Sequence, residues 1–225
     1  MHRGFNPVRS AVLALERRFL SSMDGWVCNS KATAGRVAQL VSSDTTRMHV
    51  ATPGGERLDT QPTESHGFFS TVPHAQQWSL RVAYVGALVP NKGLMHLLEA
   101  VAVVSDCVVA VAGDLDSAGM YTRRCRLRAQ KQDLAGRVRF LGRLPDRSLH
   151  ALLLEADVLA LVSRVEGFGI VYLEAMRAGC AVIAGNHGGA VEIVEGGGGI
   201  LGDPDSSEDL AAALQLLHDD RRRLW

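Results

Sequence analysis

The spacing of apolar residues along this chain changes character several times, and each change predicts an element. Val8, Val12, Leu15 and Phe19 recur at helical spacing, so residues 8 to 20 predict an amphipathic helix that packs by one face. Trp26 to Cys28 reads as a short buried strand. Asn29 or Ser30 can cap a helix through about Val41, and Met48 to Ala51 reads as a strand before the turn at Pro53-Gly54-Gly55. These form one strand-helix-strand unit. Residues 56 to 79 carry Pro62, Pro73, many polar side chains and no clear period, the composition of a linker.

From Leu80 the pattern becomes regular. Short aliphatic runs at 80–85, 107–112, 137–141, 157–162 and 181–184 alternate with helical stretches near 92–104, 118–134, 146–155, 169–179 and 189–195. A sixth strand near 199–201 and a helix at 207–218 follow. Continuous apolar strands separated by helices predict an α/β doubly wound parallel sheet covered on both faces. Right-handed crossovers and a reversal of strand order then put a binding crevice outside the carboxyl ends of the strands, where every motif of interest is expected. The expected organisation is 1–55 as an incomplete first domain, 56–79 as a linker and 80–225 as the second domain, its last helix cut short.

Composition narrows the partners. With 225 residues and 47% hydrophobic content the chain can bury a core. Its 24 basic and 24 acidic residues cancel, so no overall field favours nucleic acid or an anionic membrane, and a bulk polyanion is not the expected partner, although neutrality leaves room for a local basic pocket. Cys28, Cys107, Cys125 and Cys180 lack metal-site spacing, and Cys28, Cys107 and Cys180 lie in apolar stretches where a thiol is a small core hydrophobe, which makes a reducing cytoplasm the expected setting. No apolar run approaches the roughly 20 residues of a membrane span, and Arg9, Glu16, Arg17 and Arg18 interrupt the first twenty residues, so neither a span nor a signal peptide is predicted.

Two segments carry candidate chemistry. The first strand of the regular region ends at Gly86, and Lys92 opens the following helix: a glycine admits a ligand to the backbone, and the lysine adds charge to a helix's positive end. Phosphate suits that arrangement, although Gly86 can equally be a plain turn and Lys92 a surface charge. No dinucleotide-type glycine spacing follows this strand. The second segment is Glu166-Gly167-Phe168-Gly169, opening a helix that contains Glu174. Its glycines free successive amides to face one anion, and the two carboxylates are far enough apart to serve two hydroxyl-bearing ends of an elongated ligand. The plainer reading makes Glu166 a helix cap and Glu174 an exposed polar residue.

Together Gly86 to Gly93, Phe140-Leu141-Gly142, Ala156-Asp157, the two glutamates with Ala175-Met176-Arg177-Ala178-Gly179, and Gly188-Gly189-Ala190-Val191-Glu192 closely resemble family 4 of the retaining GT-B glycosyltransferases. The likeness covers residues 80 to 218, and the first segment resembles the end of that family's acceptor-side domain. The resemblance implies a Rossmann-like donor-binding domain and transfer of a sugar from a nucleoside-diphosphate sugar with retention. It implies that Lys92 and Glu166 are the catalytic pair. Lys92 would bind the diphosphate, Glu174 the ribose, and Glu166 with Gly167, Phe168 and Gly169 the sugar and phosphates. Ile170 and Val171 would lie beside them, Gly86 would approach the donor, and Arg143 and Leu144 would meet the base. No metal or other cofactor is implied. The acceptor is left open among saccharide, lipid and small molecule, and the location is cytoplasmic or peripheral at the inner face of a membrane.

The family usually has an arginine where this chain has Ala87, and Arg143 or Arg164 is the candidate replacement. A non-catalytic nucleotide-sugar-binding module and a GT-B epimerase are the alternatives. Arg123, Arg124, Arg126 and Arg128 on one helix, without interleaved aromatics, read as a solvated face. Gly196 to Gly199 reads as a turn, His187 as a loop histidine, and Arg221 to Arg223 as a helix end.

Overall fold

The computed structural model describes residues 7–41, 45–55, 67–73, 75, 79–115 and 119–221. The chain divides into two compact units, Met1–Pro53 and Gly54–Trp225.

The first unit contains α1 (Pro7–Ser21), β1 (Trp26–Cys28), α2 (Lys31–Val41) and β2 (Met48–Val50), the last entered through a 3-10 turn at Thr45–Arg47. β1 and β2 run parallel with Trp26 opposite Met48. Ser30, not Asn29, begins the helix: its Oγ accepts the Thr33 N–H at 2.9 Å, the bond of an N-cap. One expectation fails. The stripe on α1 that should face a core is exposed, with Val12, Leu15 and Phe19 58, 70 and 62% accessible.

The second unit is built on a six-stranded sheet of β3 (Leu80–Val85), β4 (Cys107–Ala112), β5 (Val138–Gly142), β6 (Val158–Leu161), β7 (Ala181–Gly185) and β8 (Gly199–Gly202). All pairings are parallel, in the order β5-β4-β3-β6-β7-β8. The order therefore reverses between β3 and β6, and the doubly wound parallel sheet expected from the sequence is present. Its connections are α3 (Leu94–Val103), α4 (Gly119–Ala129), α5 (Asp146–Glu155), α6 (Ile170–Arg177) and α7 (Gly189–Val194), with α8 (Ser207–Asp219) last. β4 and β6 are buried along their whole length, as strands covered on both faces must be. β5 is an edge strand and only half buried.

Three boundaries differ from the sequence pattern. Lys92 lies in a 3-10 turn, Pro90–Lys92, and α3 starts only after Gly93, whose φ of 73° ends that turn. The helix expected over 118–134 closes as an α-helix at Ala129, and residue 118 lies outside the described residues. The expected linker is not all linker: Phe68, Phe69 and Val72 are buried in the sheet unit's core. Both Glu155 oxygens accept backbone N–H groups there, from Gly67 at 2.9 Å and Phe68 at 2.7 Å, so the carboxylate pins that segment to the end of α5. Residues 56–66, 74 and 76–78 of that stretch lie outside the described residues, as do the last two of Arg221 to Arg223.

Candidate functional site

At the strand-order reversal the loops after β3 and β6 leave the sheet side by side, opening the crevice that parallel α/β sheets form at such a point. Glycines bring neighbouring loops to backbone contact. A Cβ on Gly113, after β4, would stand 2.0 Å from the Gly86 carbonyl oxygen, and one on Gly185, at the end of β7, would stand 2.3 Å from that of Ser163. Gly188 and Gly189 do the same against the Glu166 loop, where added carbons would meet the carbonyl oxygens of Glu166 and Gly167, both at 2.4 Å. The Gly189 N–H donates to the Glu166 carbonyl at 3.0 Å. The Gly188-Gly189 pair therefore acts by letting a second loop support the one that carries Glu166.

Two buried tyrosines fix the loops from below. The Tyr84 hydroxyl donates to the Ala87 carbonyl at 2.9 Å, and the Tyr172 hydroxyl donates to the Leu161 carbonyl at 2.8 Å. Burial raises the pKa of both phenols, and Tyr172 is raised further by the Glu166 charge. Gly169 caps α6 with φ 97°, and a Cβ there would meet the Tyr172 ring at 2.3 Å. Tyr121 reaches α3 from α4: its oxygen accepts the Met95 N–H at 3.0 Å, one of the first-turn donors a helix cannot satisfy internally. Burial pushes that phenol up to about 12, against the opposing effect of the Met95 N–H. The sequence reading missed all three tyrosines; the signal available was a tyrosine one residue before a strand's end or inside a helix that opens the crevice.

Lys92 and Glu166 meet. The Lys92 Nζ lies 2.7 Å from a Glu166 oxygen, with the side chains 21 and 14% exposed. Neither plainer reading holds: Lys92 is not a solvated surface charge, and Glu166 does not cap α6, whose N-cap is Gly169 with no side-chain bond. Glu174 is 2% exposed in α6, so the exposed-residue reading fails for it too. Phe168 is buried, and Ile170 and Val171 are half buried on the first turn of α6.

Beside these residues, Gly86, Ala87, Gly113, Asp114, Arg143 and Leu144 line a cleft of about 280 Å³. Arg143 thus borders the same space as Ala87. Arg164 is ion-paired with Asp205 through side chains 50 and 62% exposed, a surface pair open to exchange. His187 is exposed in the turn after β7. Two motifs lie away from the carboxyl ends, contrary to expectation: Ala175 to Gly179, at the end of α6 and before the amino end of β7, and Ala156-Asp157. Asp157 sits at the amino end of β6, where it accepts two bonds from the Arg81 guanidinium, at 2.7 and 3.1 Å, and one from Arg221 at 3.3 Å. Its role there is to tie β3, β6 and the end of α8 together.

A family model described as glycosyl transferases group 1 matches residues 75–224, and the chain belongs to that family. Among curated relatives, D-inositol 3-phosphate glycosyltransferase of Corynebacterium urealyticum is 30% identical over 223 residues, 93% of this chain and 52% of the relative. A GDP-mannose-dependent monoacylated alpha-(1-6)-phosphatidylinositol monomannoside mannosyltransferase of Corynebacterium glutamicum is 35% identical over 169 residues, 70% of this chain and 41% of the relative. The chain spans about half the length of the curated relatives it matches. The solved Anabaena protein HepE in complex with UDP-glucose superposes with a TM-score of 0.80 and 25% identity, covering 97% of this chain and 61% of that one. Sucrose-phosphate synthase of Thermosynechococcus elongatus shares the fold with a TM-score of 0.80 at 24% identity, covering 96% of this chain and 54% of that one.

Proposed function

We propose that the protein transfers a hexosyl group from a nucleoside-diphosphate sugar to an acceptor hydroxyl with retention of anomeric configuration, in the manner of family 4 of the GT-B enzymes, and that this chain supplies the donor site. The observation that carries the reading is the Lys92–Glu166 pair at the strand-order reversal, beside a helix N-terminus, with a cleft opening at the carboxyl ends of β3 and β4. As the bond from the anomeric carbon to the diphosphate oxygen breaks, negative charge grows on the diphosphate. Lys92 and the amides of Gly167 to Gly169 stand ready to stabilise it, and no metal ion takes part in this scheme.

Donor binding in this scheme exchanges partners. The diphosphate takes the Lys92 ammonium, and Glu166 is released to accept hydroxyls of the sugar. Glu174 holds the ribose, and Arg143 and Leu144 border the base. A relative named for GDP-mannose and a solved relative holding UDP-glucose support a nucleotide hexose as donor. Four buried free thiols support a reducing, cytoplasmic setting. Among the described residues no helix is long and apolar enough to cross a membrane.

The test is a thermal-shift screen of UDP-, GDP- and ADP-sugars, since a ligand that binds only the folded state raises the midpoint. One class should stabilise the chain, and that donor should then be consumed when candidate acceptors are supplied to the protein. No shift with any nucleotide sugar would remove the donor-site reading. A shift without consumption would leave a nucleotide-sugar-binding module.

A further inference from the structure

The arginines of α4 do not form one uniform solvated face. Arg128 turns inward, bonded to Glu99 and Asp133 at 2.8 Å each. Arg126 lies over the Phe140 ring, 5.8 Å from its centroid. Arg123 and Arg124 are exposed, and so, at the centre of the outward face, are two large apolar side chains: Met120 is 79% accessible and Leu127 51%. At 100° per residue Met120 and Leu127 fall within about 20° of arc, with Arg124 on one flank and Arg123 on the other. Residues 119 to 131 contain five of the chain's 24 basic residues and no acid, although the chain as a whole is neutral. Beside this ridge Arg123, Arg126, Gln130 and Leu127 line an open groove of about 490 Å³.

We propose that this face of α4 docks on an anionic lipid surface. A ridge of two aliphatic side chains between basic flanks is the pattern that lies in the headgroup region, the apolar groups entering the acyl boundary and the arginines meeting lipid phosphates. The groove lined by Arg123 and Arg126 offers room for a headgroup phosphate, which a guanidinium binds through paired N–H donors. Charge complementarity selects an anionic partner. The exposed aliphatic pair favours a bilayer over a nucleic acid, whose single strands are held chiefly by aromatic stacking that this face does not present. Asp114 lines the donor cleft and Leu115, next in sequence, lines the α4 groove, so docking by α4 would set that cleft close to the bilayer. The inference does not depend on the glycosyl-transfer reading.

Sedimentation of the full chain with vesicles tests it. Phosphatidylcholine vesicles containing phosphatidylglycerol, roughly two to one, should pellet the chain, pure phosphatidylcholine should not, and raised salt should weaken the association. Arg123→Glu with Arg124→Glu should lower vesicle affinity by about tenfold or more. Met120→Ser with Leu127→Ser should lower it even at low salt, whereas Arg147→Glu, an exposed arginine on α5, should leave it within about twofold. Unchanged melting temperatures would show that the variants remain folded. Equal pelleting by neutral and anionic vesicles, no pelleting with either, or loss of binding in the Arg147 variant equal to that in the Arg123/Arg124 variant would overturn the proposal. So would retention of a homopolymeric RNA more tightly than of anionic vesicles.

Discussion

The Lys92 ammonium and the Glu166 carboxylate lie 2.7 Å apart, joining the loop after β3 to the loop after β6 across the strand-order reversal. Each is the other's partner, so substitutions at the two positions should have opposite effects on diphosphate binding. Lys92→Ala should weaken UDP or GDP by about 1–3 kcal/mol, the usual range for a hydrogen bond to a charged group, and leave the nucleoside almost unaffected. Glu166→Gln should strengthen the free diphosphate, because a competing carboxylate is gone, while weakening the additional contribution of the sugar. Titration calorimetry with nucleoside, nucleoside diphosphate and nucleotide sugar separates these effects. Equal losses for nucleoside and diphosphate in the Lys92 variant would reduce the pair to a structural tie.

Glu174 is buried in α6, and the ribose assignment makes it a donor contact. Glu174→Ala should weaken both nucleoside and nucleotide sugar by about 1–3 kcal/mol, and a 2′-deoxy nucleotide should lose less when Glu174 is absent than when it is present. Calorimetry on the four combinations measures the coupling. Zero coupling would take Glu174 out of the donor site.

Steric closure at Gly113 gives a stability prediction with a built-in control. Gly113→Ala puts a carbon 2.0 Å from the Gly86 oxygen and 2.5 Å from Leu88 Cδ1, and should destabilise by about 1–3 kcal/mol, as overpacking does. Gly35→Ala, inside α2 with nothing within 4 Å of the added carbon, should stabilise by about 0.5–1 kcal/mol. Denaturant melts of both variants check the contrast. Similar midpoints would mean that the β3 and β4 loops separate freely.

Tyr172→Phe should cost about 1 kcal/mol by removing the bond to the Leu161 carbonyl while keeping the ring that occupies the space under Gly169. Because that bond holds the turn leading to Glu166, the variant should also lose nucleotide-sugar affinity, which a purely structural role would leave intact. Thermal midpoints and ligand shifts measured on one sample distinguish the two.

Alkaline pH should destabilise the chain in a defined window. Burial raises the Cys107 thiol from its usual 9.0 to about 12, and burial likewise raises the Tyr121 phenol from 10.0 to about 12. A group whose folded pKa is raised gives up a proton first in the unfolded state, so stability is flat below pH 9 and falls between about pH 9 and 12. Each such group contributes a slope of about 1.4 kcal/mol per pH unit within its own window. Denaturant midpoints from pH 7 to 11 should follow this course, and Cys107→Ala should flatten the first part of the decline. A decline that the variant leaves unchanged would assign it elsewhere.

Much of this was legible without coordinates because the relevant forces are local. Strand β3 is Leu80–Val85 and strand β4 is Cys107–Ala112, as the aliphatic runs predicted, because a strand covered on both faces is written as consecutive apolar residues. The start of α2 was narrowed to Asn29 or Ser30, since an N-cap is a bond between near neighbours: the Ser30 Oγ accepts the Thr33 N–H at 2.9 Å. Segment 67–73 was misread because Phe68 and Phe69 have no periodic neighbours. The segment is held by Glu155, 88 residues beyond Gly67 and 87 beyond Phe68.

The sequence by itself therefore determined the order of elements, the parallel sheet and the two loops that carry charge, all consequences of periodicity and capping over a few residues. Only the tertiary structure decided that Lys92 and Glu166, 74 residues apart, share one ion pair, that Arg164 pairs with Asp205 while Arg143 borders the space beside Ala87, and that Asp157 braces the far end of the sheet. Those outcomes follow from which strands become neighbours. The order β3 beside β6 is set by burial summed over the whole sheet, a quantity that no single segment contains.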